Sequence, residues 1–330
     1  MPAPVLAERE QLRPAVIVSA IPAKSERACA LRSEVAVTGS TIAHVSPAPL
    51  ALAVLGRGVV DPATPLLRAD DEAVLRGRAA FETMRVYAGV PFRVDLHLRR
   101  LAESAQVLEL PPPDIEGLTA LVGDALASLE RPDAVLRVVW TPGSGDGDSI
   151  GFVLVTPLPG GFDEMRARGI ELASLQLAIG AATRNESPWL LPGVKSTSYA
   201  VNMAAQAEAR RRGADDALFL SLEGVALECP TSNVWFWEGG VLHTPALELG
   251  ILAGVTRETL LAAARGAGID LAEGEYPRDR LAGAAEVFTS SSVREVMPVV
   301  RLDGETVGDG VPGPVAARMQ AALRLAVSQI

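Results

Sequence analysis

Apolar and polar residues recur along this chain, from about residue 50, in a pattern that predicts short strands separated by amphipathic helices. The run 85–87, the turn Ala88-Gly89 and the run 91–94 predict a β-hairpin. Between residues 96 and 108, apolar side chains recur at spacings of three and four, which predicts a helix with one apolar face. Three prolines at 111–113 end that helix.

A second helix is predicted over 115–129, and two strands follow it at 134–140 and 151–155. The next residues, Pro-Leu-Pro-Gly-Gly at 157–161, form the best linker in the chain, because proline and glycine interrupt regular structure. We therefore place a domain boundary there. The predicted organisation is an N-terminal extension at 1–45, a small α/β domain at 46–156, an interdomain linker at 157–163 and a large α/β domain at 164–330.

The second half continues the alternation of strands and helices. Strands are predicted at 216–221, 233–237 and 286–289, a hairpin turn at Glu223-Gly224, and helices at 199–211, 256–266 and 314–327. The predicted fold class is therefore α/β (α+β), with two mixed α/β domains. Small molecules often bind where two domains meet, so we expect the active site at the domain interface.

Composition narrows the classes of partner. The 330 residues carry a formal net charge of −10, which argues against nucleic acid because phosphate binding requires a basic face. No apolar run reaches the roughly 18–20 residues that span a bilayer, so we expect no membrane partner. Charged residues interrupt the first 45 residues, unlike a signal peptide, and we expect a cytoplasmic protein. Small molecules are therefore the expected partners.

Cysteine and histidine are too rare and too scattered to indicate a metal site. The two cysteines, Cys29 and Cys229, are too few for a disulfide framework. The three histidines, His44, His97 and His243, lie far apart and show no ligand spacing. We therefore predict no bound metal.

Lys195 is one of only two lysines among 30 lysine and arginine residues. It lies in the polar run 193–199, between two apolar stretches. An arginine stays protonated, whereas a desolvated lysine can lose its proton and attack a carbonyl. The residue type therefore indicates amine chemistry at Lys195. The alternative, a solvated surface lysine, is the favoured interpretation for Lys24.

Five segments, taken in order along the chain, resemble those of fold type IV pyridoxal-phosphate enzymes. They are Phe81-Glu82-Thr83-Met84-Arg85, His97-Leu98-Arg99-Arg100-Leu101, the lysine run 193–199, the run 227–235 and the run 286–292. That family contains branched-chain aminotransferases, D-amino acid aminotransferases, (R)-amine transaminases and aminodeoxychorismate lyases. The resemblance covers nearly everything from about 55 to 325.

The resemblance implies a chemical role for two residues. Lys195 matches the lysine that holds the aldehyde of pyridoxal 5′-phosphate as a Schiff base and then carries the proton between Cα and C4′. Glu228 matches the carboxylate that keeps the pyridine nitrogen protonated, so that the ring can act as an electron sink. A surface glutamate at a strand edge is the alternative for Glu228.

The resemblance also implies a phosphate site. Val255 and Thr256 would open a helix and present free amides and a hydroxyl at its positive end. Ser291 and Ser292 would form a second hydroxyl-bearing loop, and Arg100 matches the phosphate arginine of the family. An ordinary helix cap is the alternative for Thr256, and a solvated helix face is the alternative for Arg100.

Four more residues are assigned to the pocket by resemblance. Leu252 would pack against the pyridine ring or belong to the core, and Tyr199 would contact the Schiff base region or begin a helix. Arg85 and Arg137 lie in apolar strand-like surroundings, where a guanidinium needs a carboxylate partner. That partner is either a substrate carboxylate, which the resemblance favours, or a carboxylate of the protein.

Two pocket arginines favour a substrate that carries a carboxylate. The predicted function is therefore a transaminase that moves an amino group between an amino acid, with D-amino acids favoured, and a 2-oxo acid. Aminodeoxychorismate lyase, which releases pyruvate and 4-aminobenzoate, is the second candidate. A branched-chain L-amino acid aminotransferase, an (R)-amine transaminase and a cofactor-binding protein without turnover rank below it. The resemblance implies a homodimer. The sequence determines neither the stereospecificity nor the preferred donor.

Overall fold

The computed structural model describes residues 48–130, 133–145 and 149–330. The predicted N-terminal extension lies outside these ranges, as does part of the connection between the strands predicted at 134–140 and 151–155. Within them, the structure confirms a mixed α/β fold with two sheets. None of the helices in the described ranges is long and apolar enough to cross a bilayer.

The first sheet is antiparallel throughout and is built from residues 51–157. Its strands are β1 (Ala51–Val54), β2 (Gly58–Val60), β3 (Ala80–Tyr87), β4 (Val90–Pro91), β5 (Ala134–Thr141) and β6 (Ile150–Pro157). They are ordered β2-β1-β6-β5-β3-β4. The helices of this region are α1 (Glu72–Arg76), α2 (Val94–Val107) and α3 (Ile115–Ala127). Helices α2 and α3 pack on this sheet.

The second sheet mixes parallel and antiparallel pairs. Its strands are β7 (Ile170–Gln176), β8 (Asp216–Leu220), β9 (Asn233–Glu238), β10 (Val241–Pro245), β11 (Asp270–Gly274), β12 (Glu286–Ser291), β13 (Glu295–Leu302) and β14 (Glu305–Thr306). The order is β11-β10-β9-β12-β13-β7-β8, with β14 beside β13. The accompanying helices are α4 (Phe162–Arg168), α5 (Ala181–Glu186), α6 (Ala200–Arg211), α7 (Val255–Gly266), α8 (Arg278–Ala282) and α9 (Pro314–Val327).

The apolar face predicted for the helix over 96–108 forms part of the core beneath the first sheet. Leu98, Leu101 and Ala105 are buried there, together with Met84 and Leu136 from the strands. The spacing of three and four residues therefore correctly predicted which face of α2 the first sheet covers. The terminal helix α9 begins and ends at the predicted residues, and Pro314 at its first position suits the start of a helix.

The predicted second strand of the hairpin is wrong over residues 92–94. Strand β4 ends at Pro91, and helix α2 begins at Val94. Arg93 adopts a left-handed conformation with φ of 54°, which turns the chain out of the strand and into the helix. Phe92 is buried in a core cluster of the second sheet, with Trp235 and Phe288. Residues 92–94 therefore do not form a strand, and Phe92 instead packs into the core of the second sheet.

Glu295, at the start of β13, is fully buried and is the centre of an ionic cluster. Its carboxylate accepts hydrogen bonds from Tyr87 Oη at 2.8 Å, Gln320 Nε2 at 2.9 Å, Arg324 Nη2 at 2.9 Å and Arg166 Nη2 at 3.2 Å. Arg85 Nη1 lies 3.4 Å from the same carboxylate. The cluster joins β3 of the first sheet to α4, β13 and α9. It therefore fixes the turn between β12 and β13.

Replacing Glu295 by glutamine is expected to lower the free energy of unfolding by about 3–5 kcal/mol, because three arginines then lose their common buried counter-charge. Urea denaturation of the two proteins measures this loss. Glu305→Gln is the matched control, since its ion pair with Arg278 involves a carboxylate that is 65% exposed. Equal losses in both variants would contradict a special role for the buried carboxylate of Glu295.

Candidate active site

A cavity of about 760 Å³ is lined by residues of both sheets. The first sheet contributes Phe81 and Thr83 from β3 and Arg137 from β5, and the turn after β12 contributes Val293 and Arg294. Ten of the eleven predicted site residues line this cavity. They are Lys195, Glu228, Arg100, Leu252, Val255, Thr256, Ser291, Ser292, Tyr199 and Arg137.

Lys195 lies in an irregular segment that is anchored to the first sheet and its helix. Its backbone N–H donates to Ser104 Oγ at 3.1 Å, and its carbonyl accepts from the Phe81 N–H at 3.1 Å. The amine Nζ is 4.4 Å from the centroid of the Phe81 ring and 5.7 Å from that of Tyr199. The backbone is therefore held, while the amine lies beside two aromatic rings that contact each other edge to face.

Burial lowers the pKa of Lys195 to about 8. The carboxylates of Glu82 and Glu228 oppose this shift, whereas the guanidinium groups of Arg100 and Arg137 add to it. Below pH 8 the amine is mostly charged, and above it mostly neutral. At neutral pH the neutral form is still the minor one, but it is far more populated than in a lysine of ordinary pKa, which suits an amine that must attack a carbonyl. A solvated surface lysine does not describe Lys195.

Competitive acetylation of the cofactor-free protein tests this pKa. In a Lys24→Arg variant, Lys195 is the one lysine side chain, so the modified peptide identifies it by mass spectrometry. We expect its reactivity to rise with a midpoint near pH 8, because only the neutral amine reacts. Free Nα-acetyl-lysine in the same tube is the reference, and its reactivity should rise with a midpoint at about pH 10.4. Coincident midpoints would contradict the lowered pKa.

Glu228 is not the exposed strand-edge residue of the alternative interpretation, since its side chain is only 15% exposed. The backbone N–H of Leu252 donates to its Oε2 at 3.1 Å, and Arg184 Nη2 lies 3.8 Å from its Oε1. Burial raises the pKa of this carboxyl, and the charge of Arg184 partly opposes that shift. Glu228 is therefore a sheltered carboxylate at the cavity wall with a nearby counter-charge.

Arg100 is also buried, which rules out the solvated-face alternative. Its side chain is 8% exposed, whereas that of its neighbour Arg99 is 59% exposed. Arg100 donates twice to Glu82, from Nε at 2.6 Å and from Nη2 at 2.7 Å, and once to the carbonyl of Ala253 at 2.7 Å. Five N–H groups are available on a guanidinium, so two remain for a ligand in the cavity.

Glu82 and His97 form a fully buried support behind Arg100. Burial alone would raise the pKa of Glu82, but the charge and hydrogen bonds of Arg100 outweigh it and lower that pKa to about 2. His97 Nδ1 is 2.7 Å from Glu82, and its Nε2 is 3.5 Å from Ser292 Oγ. Burial lowers the pKa of His97. A neutral His97 ring therefore connects Glu82, the partner of Arg100, to Ser292.

Helix α7 begins at the cavity without a side-chain cap. Gly254 is its N-cap residue, which corrects the alternative that Thr256 is an ordinary cap. A side chain at Gly254 would meet Asn233 Oδ1 at 2.1 Å, so Asn233 would have to shift to admit any other residue. The first N–H groups of a helix have no partner within it and carry partial positive charge. With Thr256 beside them, they form a site suited to an anion.

Arg85 is the predicted pocket residue that the structure places elsewhere. It does not line the cavity, and it pairs instead with Glu295 and donates to the carbonyl of Val293 at 3.3 Å. The protein-carboxylate alternative therefore holds for Arg85. Arg137 differs. It is exposed and lies opposite Thr83 across the β3–β5 pair, and its side chain has no hydrogen bond or ion pair within the described part of the chain.

The residues around the cavity fit pyridoxal phosphate by their chemistry. An amine of lowered pKa suits the aldehyde, and a buried carboxylate suits the pyridine nitrogen. The uncapped helix start, two serines and the free N–H groups of Arg100 suit the phosphate. Among the described residues, no group of three or more histidine, cysteine or acidic side chains could hold a metal ion.

Sequence reasoning missed four residues that shape this site. Glu82, His97, Arg184 and Asn233 were given no role, although Glu82, His97 and Asn233 lay within the recognised segments. The signal for Glu82 was a carboxylate in a strand of apolar residues, which needs a partner when buried. Arg184 lies on the short helix α5 and gave no comparable signal, because its contact with Glu228 depends on the tertiary fold.

Comparisons with known proteins agree with this geometry. The family model described as Amino-transferase class IV matches residues 79–302. A bifunctional aminodeoxychorismate lyase / D-amino acid transaminase from Mycobacterium tuberculosis is 34% identical over 246 residues, covering 71% of this chain and 83% of the relative. A D-alanine aminotransferase from Bacillus licheniformis is 28% identical over 263 residues, covering 77% and 89%.

A solved structure supports the same assignment. The pyridoxal-phosphate-bound form of a hypothetical aminotransferase from Mycobacterium tuberculosis superimposes with a TM-score of 0.80 at 32% identity, covering 85% of this chain and 100% of that one. The same protein is known with α-ketoglutarate and pyridoxamine phosphate, with a TM-score of 0.79. The chain therefore belongs to the class IV aminotransferases and is a pyridoxal-phosphate-dependent enzyme.

Proposed function

We propose that this enzyme transfers the amino group of a D-amino acid to a 2-oxo acid, and that Arg137 binds the α-carboxylate of each substrate. The observation that carries the proposal is the state of Arg137. It lines the cavity, lies close enough to Lys195 to influence its pKa, and has no partner in the described ranges. A guanidinium with all its N–H groups free is suited to two parallel hydrogen bonds with a carboxylate.

The other cavity arginines are already paired with carboxylates of the protein. Arg100 pairs with Glu82, Arg184 with Glu228, and Arg294 with Asp216. Their charges are therefore at least partly neutralised, whereas that of Arg137 is not. Substrate binding at Arg137 needs no existing ion pair to be broken, which makes it the strongest site for the α-carboxylate.

Lys195 and Glu228 are assigned the chemical roles. Bound pyridoxal phosphate supplies an electron sink that stabilises negative charge at the substrate Cα. Lys195 would hold the cofactor through its aldehyde and, once released, take the proton from Cα. Glu228 would keep a proton on the pyridine nitrogen, and Arg184 with the Leu252 N–H would hold its carboxylate in place. Tyr199 would contact the cofactor beside Lys195.

The phosphate of the cofactor is assigned to the hydrogen-bond donors at the start of α7, at the two serines and at Arg100. Val255 and Thr256 at the start of α7 would bind it through backbone N–H groups and a hydroxyl. Ser291, Ser292 and the free N–H groups of Arg100 would complete the site, while Leu252 would pack against the ring. We also expect a homodimer and a cytoplasmic location.

The preference for D-amino acids rests on the named activities of relatives. A D-amino acid transaminase and a D-alanine aminotransferase are among them. Because the first relative is named as bifunctional, aminodeoxychorismate lyase is kept as the second candidate. Branched-chain L-amino acid and (R)-amine transamination rank lower for this chain, the latter because a simple amine would leave Arg137 without a partner.

Replacing Arg137 by methionine is expected to lower kcat/KM for D-alanine about 10- to 100-fold, since a charge-assisted hydrogen bond contributes about 1.5–3 kcal/mol. Steady-state kinetics measure the change. (R)-1-Phenylethylamine has no carboxylate, so its kcat/KM should change much less. Arg99→Met is the matched control, because that side chain is 59% exposed outside the cavity lining. Equal losses for amine and amino acid would contradict carboxylate binding at Arg137.

The absorbance spectrum of the holoenzyme tests the proposed function as a whole. D-Alanine, L-leucine and (R)-1-phenylethylamine are added in turn without an acceptor. We expect D-alanine to convert the visible band of bound pyridoxal phosphate to the shorter-wavelength band of the aminated cofactor. L-Leucine should convert little. Conversion by L-leucine alone would overturn the stereochemical assignment, and no conversion by any donor would favour the lyase.

A further inference from the structure

Arg294 is a cavity residue that neither the sequence motifs nor the proposed chemistry uses. It follows Ser291 and Ser292 in the turn between β12 and β13, and its side chain is 14% exposed. Its backbone N–H donates to Ser291 Oγ at 3.3 Å, and the neighbouring Glu295 cluster fixes the turn. Arg294 is therefore held at the cavity wall by a rigid part of the fold.

The hydrogen bonds of the Arg294 side chain all leave from one nitrogen. Nη2 donates to the carboxylate of Asp216, to Thr231 Oγ1 at 3.0 Å and to Ser232 Oγ at 3.4 Å. Nε and Nη1 donate to nothing in the described ranges, and neither is among the fully buried atoms that lack a partner. Three N–H groups of a cavity-lining guanidinium are therefore accessible and unused.

Asp216 orients this free edge. It lies on β8, is 1% exposed, and its Oδ1 accepts hydrogen bonds from the Ala217 N–H at 2.9 Å and from Gln206 Nε2 at 3.3 Å. A buried carboxylate that is fixed by its own strand cannot follow the arginine if it moves. The pair therefore fixes the guanidinium by one nitrogen and leaves the others in place for a ligand, so little side-chain entropy is lost on binding.

We propose that Arg294 binds the distal carboxylate of a dicarboxylic substrate, so that five-carbon acids such as D-glutamate and 2-oxoglutarate are preferred to D-alanine and pyruvate. This inference rests on the proposed function, in which Arg137 takes the α-carboxylate. Arg137 lines the cavity from β5 and Arg294 lines it from the turn after β12, so the two guanidiniums reach the cavity from different elements and are assigned to different ends of the substrate. Once Arg100 is assigned to the phosphate and Arg184 to Glu228, Arg137 and Arg294 are the two cavity guanidiniums left to match two carboxylates.

A purely structural explanation of Arg294 is that it clasps the β12–β13 turn to the segment 229–232. That role accounts for Nη2 and its three acceptors. It does not require a guanidinium, because the single point charge of a lysine could make the same contacts. It also leaves the two accessible nitrogens without a purpose. The two explanations differ in one measurable respect. Only if Arg294 binds the ligand does the enzyme's preference for dicarboxylic over monocarboxylic acids depend on Arg294.

Calorimetric binding of unreactive acids to the holoenzyme tests the inference without turnover. Glutarate carries two carboxylates, and pentanoate is the matched acid with one. We expect the wild-type protein to bind glutarate at least about tenfold more tightly than pentanoate. In the double variant Arg294→Met/Asp216→Asn, which removes the ion pair as a unit and leaves no lone buried charge, this preference should disappear.

Arg294→Lys keeps the charge and the pair with Asp216 but loses the planar fork, so it should reduce the glutarate preference without abolishing it. It also decides the question if the double variant does not fold. An unchanged ratio of glutarate to pentanoate affinity in the variants, or equal losses for both acids, would overturn the inference. Failure of this inference can be told apart from failure of the proposed function. The proposed function fails if the wild-type enzyme binds glutarate as expected but converts no D-amino acid.

Kinetics with reactive substrates give the second readout. The ratio of kcat/KM for D-glutamate to that for D-alanine is expected to fall at least about tenfold in the double variant, mainly through KM. Arg137→Met should lower kcat/KM for both amino acids and so change the ratio much less. A ratio that falls in Arg137→Met and not in the Arg294 variant would reverse the two assignments and overturn the inference as stated.

Discussion

Replacing Lys195 by alanine is expected to lower the rate of amino transfer by at least about 10⁴-fold, the largest effect of any single substitution in the chain. The variant loses both the amine that would hold the cofactor and the base that would move the substrate proton. Pre-steady-state measurement of cofactor amination with D-alanine detects the remaining rate. Because Lys195 lines the cavity and holds the fold through its backbone atoms, the variant should remain folded.

Two controls separate the amine from the charge at this position. Lys195→Arg keeps a positive charge but cannot supply a neutral amine, and it should be as inactive as the alanine variant. Added methylamine should restore part of the proton-transfer rate in Lys195→Ala, since a small amine can occupy the vacated volume. A variant Lys195→Ala that retains more than about a hundredth of the wild-type rate would contradict the assignment of Lys195.

Replacing Glu228 by glutamine is expected to lower kcat by about 10²–10³-fold, a range typical of a lost electrostatic contact to the developing charge. An amide cannot keep a proton on the pyridine nitrogen, so the ring withdraws electrons less well. The substitution preserves shape, and Oε1 of glutamine can still accept from the Leu252 N–H. Single-turnover kinetics with D-alanine measure the loss, together with the absorbance of the bound cofactor.

Glu248→Gln is the matched control for this substitution, because Glu248 is an exposed residue of the turn at 247–249, close to Leu252 in the chain. It should leave kcat within about twofold of the wild type, the range expected for a surface substitution away from the site. If Glu228→Gln has the same small effect, Glu228 does not face the pyridine nitrogen. The contact between Arg184 and Glu228 would then be an internal ion pair without a catalytic role.

The sequence was sufficient to predict two residues that the structure places at the cavity. Lys195 was predicted from a single rare residue type, and Glu228 from the resemblance of the run 227–235, and both line the cavity. The helix faces were predictable as well, because burial follows a spacing of 3.6 residues wherever a helix packs on a sheet. The start of α7 at Val255 followed from the same pattern.

The partners of the arginines could not be predicted. Arg85 and Arg137 lie on neighbouring strands in similar local sequence, yet Arg85 meets Glu295, which is 210 residues further along the chain, and Arg137 meets no partner in the described ranges. Such pairs depend on how the two sheets approach each other, and a local pattern carries no information about that. For the same reason Arg294, two residues beyond a recognised segment, was overlooked.

Product analysis of one reaction tests the central claim most directly. The holoenzyme is incubated with D-alanine and 2-oxoglutarate, and chiral chromatography identifies the amino acids formed. We predict equal amounts of D-glutamate and pyruvate, with no product from the Lys195→Ala variant. The claim would be contradicted if the wild-type enzyme formed no glutamate under these conditions but released pyruvate and 4-aminobenzoate from aminodeoxychorismate.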